Sequence, residues 1–510
     1  MELVIGIVAP IGVDYAVGVQ ALESKLRELR LEVAHIRLSQ LLSAVPDLVK
    51  SSDRDEHARI LSLMQAGNDL RKRTKDGSAA AKLAVLEIRR QRKARSGSSE
   101  LAATNVAYVL QSLKNPREVE FLRATYGDAF VLISLYEPRD ERVSSLAEKI
   151  ATTKHESDLT RYRHLAEEIV RKDEKDGGKL GQRVSDSFAE ADFFVGTTHR
   201  SSAASAIDRF VEIFFSHPFH TPTIDEYGMF LAWGVSLRSA DLSRQVGAAV
   251  CDSEGNVVAV GCNDVPKAGG GQYWPEDDDA RDFQRGFDSS AKEKRRLVAE
   301  ISERLADAGW LTEEKAKLHP DERLDLLFGD SEDTVLKDAG IHNLLEFGRI
   351  VHAEMAAIAD AAKRGVSLQG KTLYTTTFPC HVCARHIVAA GVARVVYVEP
   401  YPKSRASDLH SDSIIVDRAE CSGADSKKVS FEAFTGISPR RFGVMFRMPD
   451  RKNSRGEALR AAAQSTKARL VGTPLQYLQQ ETVAIQILNK LLEETSASLD
   501  DAAKSGEGGV

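Results

Sequence analysis

The chain has little of what would place it in a membrane, outside the cell or along a nucleic acid. No apolar run is long enough to cross a bilayer, and Met1 to Ile11 lack a basic leader followed by a cleavable apolar stretch, so a cytoplasmic location is expected. Cysteine is scarce, five in 510 residues, which argues against a disulfide framework. Charge of one sign is scarce too: 69 Lys and Arg stand against 75 Asp and Glu, and a net charge of −6 argues against a surface built everywhere to grip phosphate backbones. A local basic patch remains compatible with it. Aromatics make up 6% of the residues, and beyond Tyr273 and Trp274 no aromatic stripe offers a stacking platform for single strands. With 42% hydrophobic residues, a chain of 510 is too long for one core and is expected to split into two or more domains.

What is present is concentrated in one segment. His352-Ala353-Glu354 is followed by Pro379-Cys380-His381-Val382-Cys383. One imidazole and two thiolates give Zn²⁺ three protein ligands and leave its fourth tetrahedral position for a water, whereas a structural zinc takes a fourth side chain. Glu354 stands close enough to move protons without serving as a ligand. This is the pattern of the zinc-dependent nucleobase deaminases, where water attacks the ring carbon that bears the exocyclic amine. A Cys-x-x-Cys alone would suit a redox pair or half of a structural site equally well, and a lone His is usually a packing residue. With His-Ala-Glu, the proline and the helix-strand-helix order together, the catalytic reading prevails. The spacing predicts a helix over 350–364 stopped by Gly365, a strand over 371–377, and a helix over 380–390 opened by Pro379 and closed by Gly391. Cys380 and Cys383 then lie one turn apart and face one metal. His381 and His386 are expected to cover a surface or take a backbone partner, and Cys251, Cys262 and Cys421 to pack.

The N-terminus opens like a phosphate-binding fold. An apolar run over 3–8, the loop Ala9-Pro10-Ile11-Gly12-Val13-Asp14 and an amphipathic stretch over 15–30 read as strand, tight loop and helix. A working P-loop follows its glycines with Lys and Ser or Thr, which supply charge and a Mg²⁺ ligand. Here Asp14, Tyr15 and Ala16 stand instead, so Ala9, Gly12, Asp14 and Tyr15 read as a degenerate P-loop, suited to sensing or scaffolding rather than phosphoryl transfer. Further buried strands are expected over 105–110, 129–135 and 192–196. Residues 114–123 and 136–142 resemble the loop and lid regions of small P-loop nucleotide kinases. The basic run over 89–95 is expected to be a solvated helix face.

Past residue 222 the pattern changes. A helix over 226–239 and strands over 246–251 and 257–262, joined by a turn at 252–256, precede the metal motif, and a strand over 394–398 follows it. The expected fold class is α/β throughout: a P-loop-like parallel domain over 1–200, a linker over 201–222, and an α/β/α cytidine-deaminase-like domain over 223–445. The latter carries a helical insertion over 266–347, where Gly269-Gly270-Gly271 with Tyr273-Trp274 reads as a flexible access segment. Residues 446–510 form a helical extension, with 474–492 suited to packing on another domain or a neighbouring subunit and 501–510 expected to be disordered.

Arg238-Ser239, Arg244-Gln245-Val246-Gly247-Ala248, Gly261-Cys262-Asn263, His352-Ala353-Glu354 and Phe378-Pro379-Cys380 with Cys383 are together similar to the deoxycytidylate deaminases. The fusion to a P-loop-like domain, with Tyr401-Pro402-Lys403-Ser404 after the last core strand, resembles the bacterial anti-phage deoxycytidine nucleotide deaminases. That resemblance implies conversion of dCTP or dCMP to the uracil nucleotide and depletion of a pool that a phage needs. It implies His352, Cys380 and Cys383 as zinc ligands, Glu354 as proton shuttle, Asn263 at the sugar or phosphate and Arg244 at a phosphate. Arg244 would equally suit pinning the hairpin to Glu226 or another carboxylate. Lys403 and Arg405 form a second basic cluster that solvation explains as well. A homo-oligomer is implied. The rival readings are a housekeeping dCMP deaminase, an RNA or single-stranded DNA editing enzyme, and a regulator whose site is masked by an RNA or protein inhibitor.

Overall fold

The computed structural model describes residues 1–45, 48, 49, 55–156, 158–174, 176, 178, 180–217, 219–329, 331, 334–337, 339–400, 404–417, 427–447, 451–458 and 473–506, with side chains as far as 492. Lys403 and Cys421 lie outside the described residues. Two compact units result, residues 1–226 with 434–510, and residues 227–433.

The first unit is built on parallel strands β1 (Glu2–Val8), β2 (Glu32–Arg37), β3 (Val106–Gln111), β4 (Phe130–Tyr136) and β5 (Phe193–Gly196). The short strand Gly436–Ile437 pairs antiparallel with β5, giving the order Gly436–Ile437, β5, β4, β1, β3, β2. Every residue of β1 is buried, as a central parallel strand covered on both faces requires. Strand β2 lies at the edge and alternates: Ala34 and Ile36 are buried while Glu32, His35 and Arg37 face water. Such a charged edge carries no apolar run, and the sequence reading had no strand there.

Three expectations for this unit give way. The linker expected over 201–222 is mostly the helix Arg200–Phe214, whose Ala203, Ile207, Phe210, Val211 and Phe214 join the core around β1 and β5. Residues 434–446, expected at the end of the second domain, supply Ile437 and Met445 to that same core. The basic run over 89–95 is only partly solvated. Arg92 is fully buried, with Nε on Glu2 at 2.9 Å and Nη1 on Glu481 at 2.6 Å, because the helix Pro474–Gly506 packs on the helix Ala79–Ser96 that carries it. The C-terminal helix therefore finds its partner within the first unit. It also continues to Gly506, through the segment expected to be disordered.

The second unit carries β6 (Gly247–Cys251), β7 (Val257–Cys262), β8 (Thr372–Thr377), β9 (Arg394–Glu399), β10 (Ile414–Val416) and β11 (Val429–Ala433), in the order β10, β11, β9, β8, β6, β7. Strands β7, β6 and β8 run antiparallel to their neighbours, and β8, β9, β11 and β10 run parallel. The helix Ala353–Lys363 packs against β7 through Ala353, Ala357 and Ala361. Gly261 makes this approach possible: a Cβ there would come within 2.5 Å of Ala353 O and Ala357 N. The insertion is helical as expected, with Ser289–Asp307 and Pro320–Phe328 packed together around a buried bond from Arg323 Nε to Ser302 Oγ at 2.7 Å. No described helix is long and apolar enough to cross a membrane.

Candidate active site

Two helix N-termini build the site. His352 is the N-cap of Ala353–Lys363 and Cys380 the N-cap of His381–Ala389, both in extended backbone. Both helices start later than the sequence spacing predicts, so these two ligands stand at the helix ends instead of inside the first turn. The cap position has a chemical consequence. Cys380 Sγ accepts the Cys383 N–H at 3.4 Å, as a capping Ser or Asp oxygen would, which favours its thiolate. Gly365 and Gly391 end the two helices with φ of 69° and 72°, the left-handed stops that the sequence indicates.

His352 Nδ1 lies 3.3 Å from Cys380 Sγ and 3.3 Å from Cys383 Sγ, and the three donor atoms fall within 4.8 Å of one another. Bonds of about 2.0 Å to nitrogen and 2.3 Å to sulfur put tetrahedral donors about 3.6 Å apart, so this set needs to open by only a few tenths of an ångström to hold zinc. The cluster is buried, with Cys383 fully so, and offers three protein donors rather than four. Glu354 is 4% exposed in the first turn of its helix, and Cys383 Sγ reaches its Oε2 at 3.3 Å.

Charge is shared unequally here. The hydrogen bond from Cys383 pulls the Cys380 thiol down to about 4 against the opposing effect of burial, with the His352 ring adding to the pull. The Cys383 thiol is held well above its ordinary value, first because it donates to Cys380 and then because it is buried. His352 is raised by its bond to Cys380, against the effect of burial. Burial raises the Glu354 carboxyl, and the nearby Cys380 charge raises it further. These effects favour the Cys380 thiolate and the protonated form of the Glu354 carboxyl, and binding of a metal to such ligands releases protons.

A cavity of about 450 Å³ opens from these groups. Its walls are the 241–246 loop, Asn263 just after β7, Thr377 at the end of β8 with Phe378 after it, and the insertion with its flank, which adds Asp282, Asp288, Ser290, Lys294 and Arg349. Asn263 lines the cavity with its amide already engaged: Oδ1 accepts from Val246 N at 2.7 Å, and Nδ2 donates to Asp241 Oδ2 at 3.0 Å and Arg244 O at 2.8 Å. It fixes the loop that carries Arg244. Arg244 also lines the cavity, with Nη1 3.7 Å from Glu399 Oε2, while both Glu226 oxygens are taken by Arg209. Sequence reasoning had no signal for Lys294, Arg349 or the acidic residues near them. They lie on or beside a helical segment whose charges look like any solvated face.

Some expected roles do not form. Gly269, Gly270 and Gly271 make a tight turn with φ of 85°, 94° and 79°, closed by Lys267 N to Gly271 O at 3.0 Å, and neither they nor Tyr273 and Trp274 line the cavity. Trp274 lies instead under the Arg238 guanidinium, 3.7 Å from its ring centre. Cys251 and Cys262 are fully buried with thiols pushed up to about 11 by burial, the inert packing role expected of them. His386 Nδ1 meets Val382 O at 2.8 Å, a backbone partner as expected.

The N-terminal loop contrasts with this. Ala9 follows β1, Gly12 has φ 95°, and Asp14 caps the helix Tyr15–Glu28 by accepting from Ala16 N at 2.9 Å. The loop's amides point at the protein's own carboxylates: Ile11 N–H donates to Asp173 Oδ2 at 2.7 Å and Asp14 N–H to Glu137 Oε1 at 3.1 Å. Lys114 Nζ completes the seat, 2.9 Å from Asp173 Oδ1 and 3.1 Å from Ala9 O. A side-chain carboxylate sits where a phosphate-binding loop would present its donors.

Known proteins place the second unit. Residues 222–399 match the family model of the cytidine and deoxycytidylate deaminase zinc-binding region. The probable deoxycytidylate deaminase of Drosophila melanogaster is 28% identical over 197 residues, 38% of this chain and 70% of that protein. The deoxycytidylate deaminase of Enterobacteria phage T4 is 27% identical over 179 residues, 34% of this chain and 77% of that protein. Among solved structures, apo dCMP deaminase from the cyanophage S-TIM5 is similar at 18% identity and a TM-score of 0.22, covering 42% of this chain and 100% of that one. Residues 222–399 are thus similar to the zinc-binding region of the cytidine and deoxycytidylate deaminases, and the His-Cys-Cys group within them fits zinc.

Proposed function

We propose that the protein hydrolytically deaminates deoxycytidine nucleotides, dCMP and dCTP, to the uracil nucleotides. The observation that carries this reading is the Glu354 carboxyl, buried against the His352, Cys380 and Cys383 cluster at the floor of a cavity whose walls bear Arg244, Lys294 and Arg349. His352, Cys380 and Cys383 would hold zinc, and the metal would supply a water acidified from about 15.7 to near 7. Glu354 is placed to take a proton from the attacking water as its oxygen adds to the ring carbon bearing the amine, and to deliver that proton to the adjacent ring nitrogen. It then carries the second proton to the departing nitrogen, so that the C–N bond breaks, ammonia leaves and the ring keeps a carbonyl. Phe378, Val246 and Leu345 line the same cavity and offer the base an apolar wall. Asn263 has a second Oδ1 lone pair for a sugar hydroxyl, and Arg244 presents its fork to a phosphate.

We assign this activity to depletion of dCTP during phage infection, in a homo-oligomer restrained by an RNA or protein inhibitor, because unrestrained consumption of dCTP would harm the cell. The degenerate loop of Ala9, Gly12, Asp14 and Tyr15 then belongs to a sensing or scaffolding domain. Housekeeping dCMP deamination uses the same groups. Incubation with dCMP, dCTP, CTP and dATP, reading ammonia and uracil nucleotide, tests the chemistry, and absence of turnover of both deoxycytidine nucleotides rejects it. Nucleotide pools measured before and during infection separate the two roles: a fall in dCTP confined to infected cells supports defence, and a steady dUMP supply in uninfected cells supports housekeeping. Editing of single strands is disfavoured, since Arg238 stacks on Trp274 and neither Trp274 nor Tyr273 lines the cavity.

A further inference from the structure

Glu212, His217 and His220 bring three ligand atoms within 4.8 Å of one another in the first unit. The local fold explains how. The helix Arg200–Phe214 ends in a left-handed turn at Ser216, φ 64°, closed by Ser216 N to Ile213 O at 3.1 Å and His217 N to Glu212 O at 2.9 Å. This is the double closure of a Schellman end, and it folds the chain back so that His217 returns beside the residue five positions earlier. His220 lies beside it, its Nε2 2.8 Å from Glu212 Oε2 and its ring 4.5 Å from that of His217.

We propose that these residues form a second metal site, for a borderline divalent transition ion such as zinc, bound by two imidazoles and one carboxylate. Two nitrogens and an oxygen are a donor set that such ions accept, with the remaining positions filled by water. The carboxylate is already divided for the task. Glu212 turns Oε2 to His220 while Oε1 accepts from Lys25 Nζ at 3.3 Å, so one oxygen can bind metal while the other keeps a cation that fixes its direction. Metal binding asks for modest movement: nitrogen and oxygen donors on one tetrahedral ion stand about 3.3 Å apart, given bonds of about 2.0 to 2.1 Å. The side chains of Glu212 and His220 are 39% and 23% exposed, so an ion can reach them. The site is an exchangeable clip that fastens the turn after the helix to the helix itself. It shares no residue with the cysteine site, so it stands whether or not the second unit deaminates nucleotides.

Metal-stripped full-length protein, reloaded with Zn²⁺ and freed of excess by gel filtration, should hold two equivalents by elemental analysis. His217→Ala with His220→Ala should hold one and keep deaminating. Cys380→Ala with Cys383→Ala should also hold one, and its Co²⁺ form should lack the thiolate charge-transfer absorption that the His217→Ala, His220→Ala variant retains. Lys25→Met should weaken the added equivalent by roughly tenfold to a hundredfold, the effect of losing a group that orients a ligand. Glu212→Gln, which preserves the side-chain shape, repeats the test if the histidine variant does not fold. A single equivalent in the unaltered protein, or a second equivalent indifferent to both His217→Ala, His220→Ala and Glu212→Gln, overturns the proposal.

Discussion

The chain uses one local design twice, a strand end leading through a short loop to a helix N-terminus, and fills it in opposite ways. In the first unit the loop after β1 turns its amides onto Asp173 and Glu137, and Lys114 neutralises Asp173. In the second unit the helix ends carry His352 and Cys380, with Cys383 and Glu354 one turn in, and a cavity of about 450 Å³ opens in front of them. Helix N-termini favour negative groups in both places. The difference lies in what is left over: the first loop has its anion supplied by its own chain, whereas the second gathers an imidazole, two cysteine sulfurs and a carboxyl at one point. A strand–loop–helix topology therefore says nothing about phosphate until the partners of its amides are known.

The sharpest test of the contrast is ligand removal at the second site. Cys380→Ala should remove the zinc of the cysteine site and abolish turnover, whereas Glu354→Gln should keep that zinc and lower kcat by about 10² to 10⁴, the range for a positioned acid–base group; elemental analysis and steady-state assays check this. Next is the carboxylate in the first loop. Asp173→Ala strands the Lys114 ammonium and should cost about 3 to 5 kcal/mol by urea denaturation, because one half of a largely buried pair is lost. Zinc content should not change. Two glycines make a matched pair. Gly261→Ala pushes a Cβ against Ala353 O and Ala357 N, and should cost about 1 to 3 kcal/mol and reduce zinc affinity by displacing the helix that starts at His352. Gly12→Ala, with a Cβ 2.6 Å from Arg142 O, should destabilise the first unit and leave zinc content untouched. The smallest effect is Asp14→Ala, which removes a helix cap and should cost about 1 kcal/mol in thermal unfolding with activity unchanged.

Much of this was legible in the sequence, for identifiable reasons. The metal group could be read because its residues are chemically rare and their spacing within one helix-strand-helix segment fixes their meeting; His352, Glu354, Cys380 and Cys383 did come together. Strands β1, β3, β4 and β5 could be read as uninterrupted apolar runs, while β2 could not, since an edge strand spends half its positions on charge. Arg92 was read as solvated because nothing local distinguishes it from Arg90 and Arg95; its partners Glu2 and Glu481 lie 90 and 389 positions away. Lys294 and Arg349 were missed at the cavity for the same reason.

The sequence by itself determined the short-range chemistry: which ligands exist, where helices stop at Gly365 and Gly391, and that Asp14, Tyr15 and Ala16 leave the first loop without cation or hydroxyl. The tertiary structure decided everything that depends on partners distant in the chain. It made Asn263 the anchor of the Arg244 loop, brought the strand Gly436–Ile437 to the edge beside β5, and put Asp173 into the N-terminal loop. Local pattern reports backbone preference and chemical type, but burial and charge pairing are set by whatever the fold carries in from elsewhere.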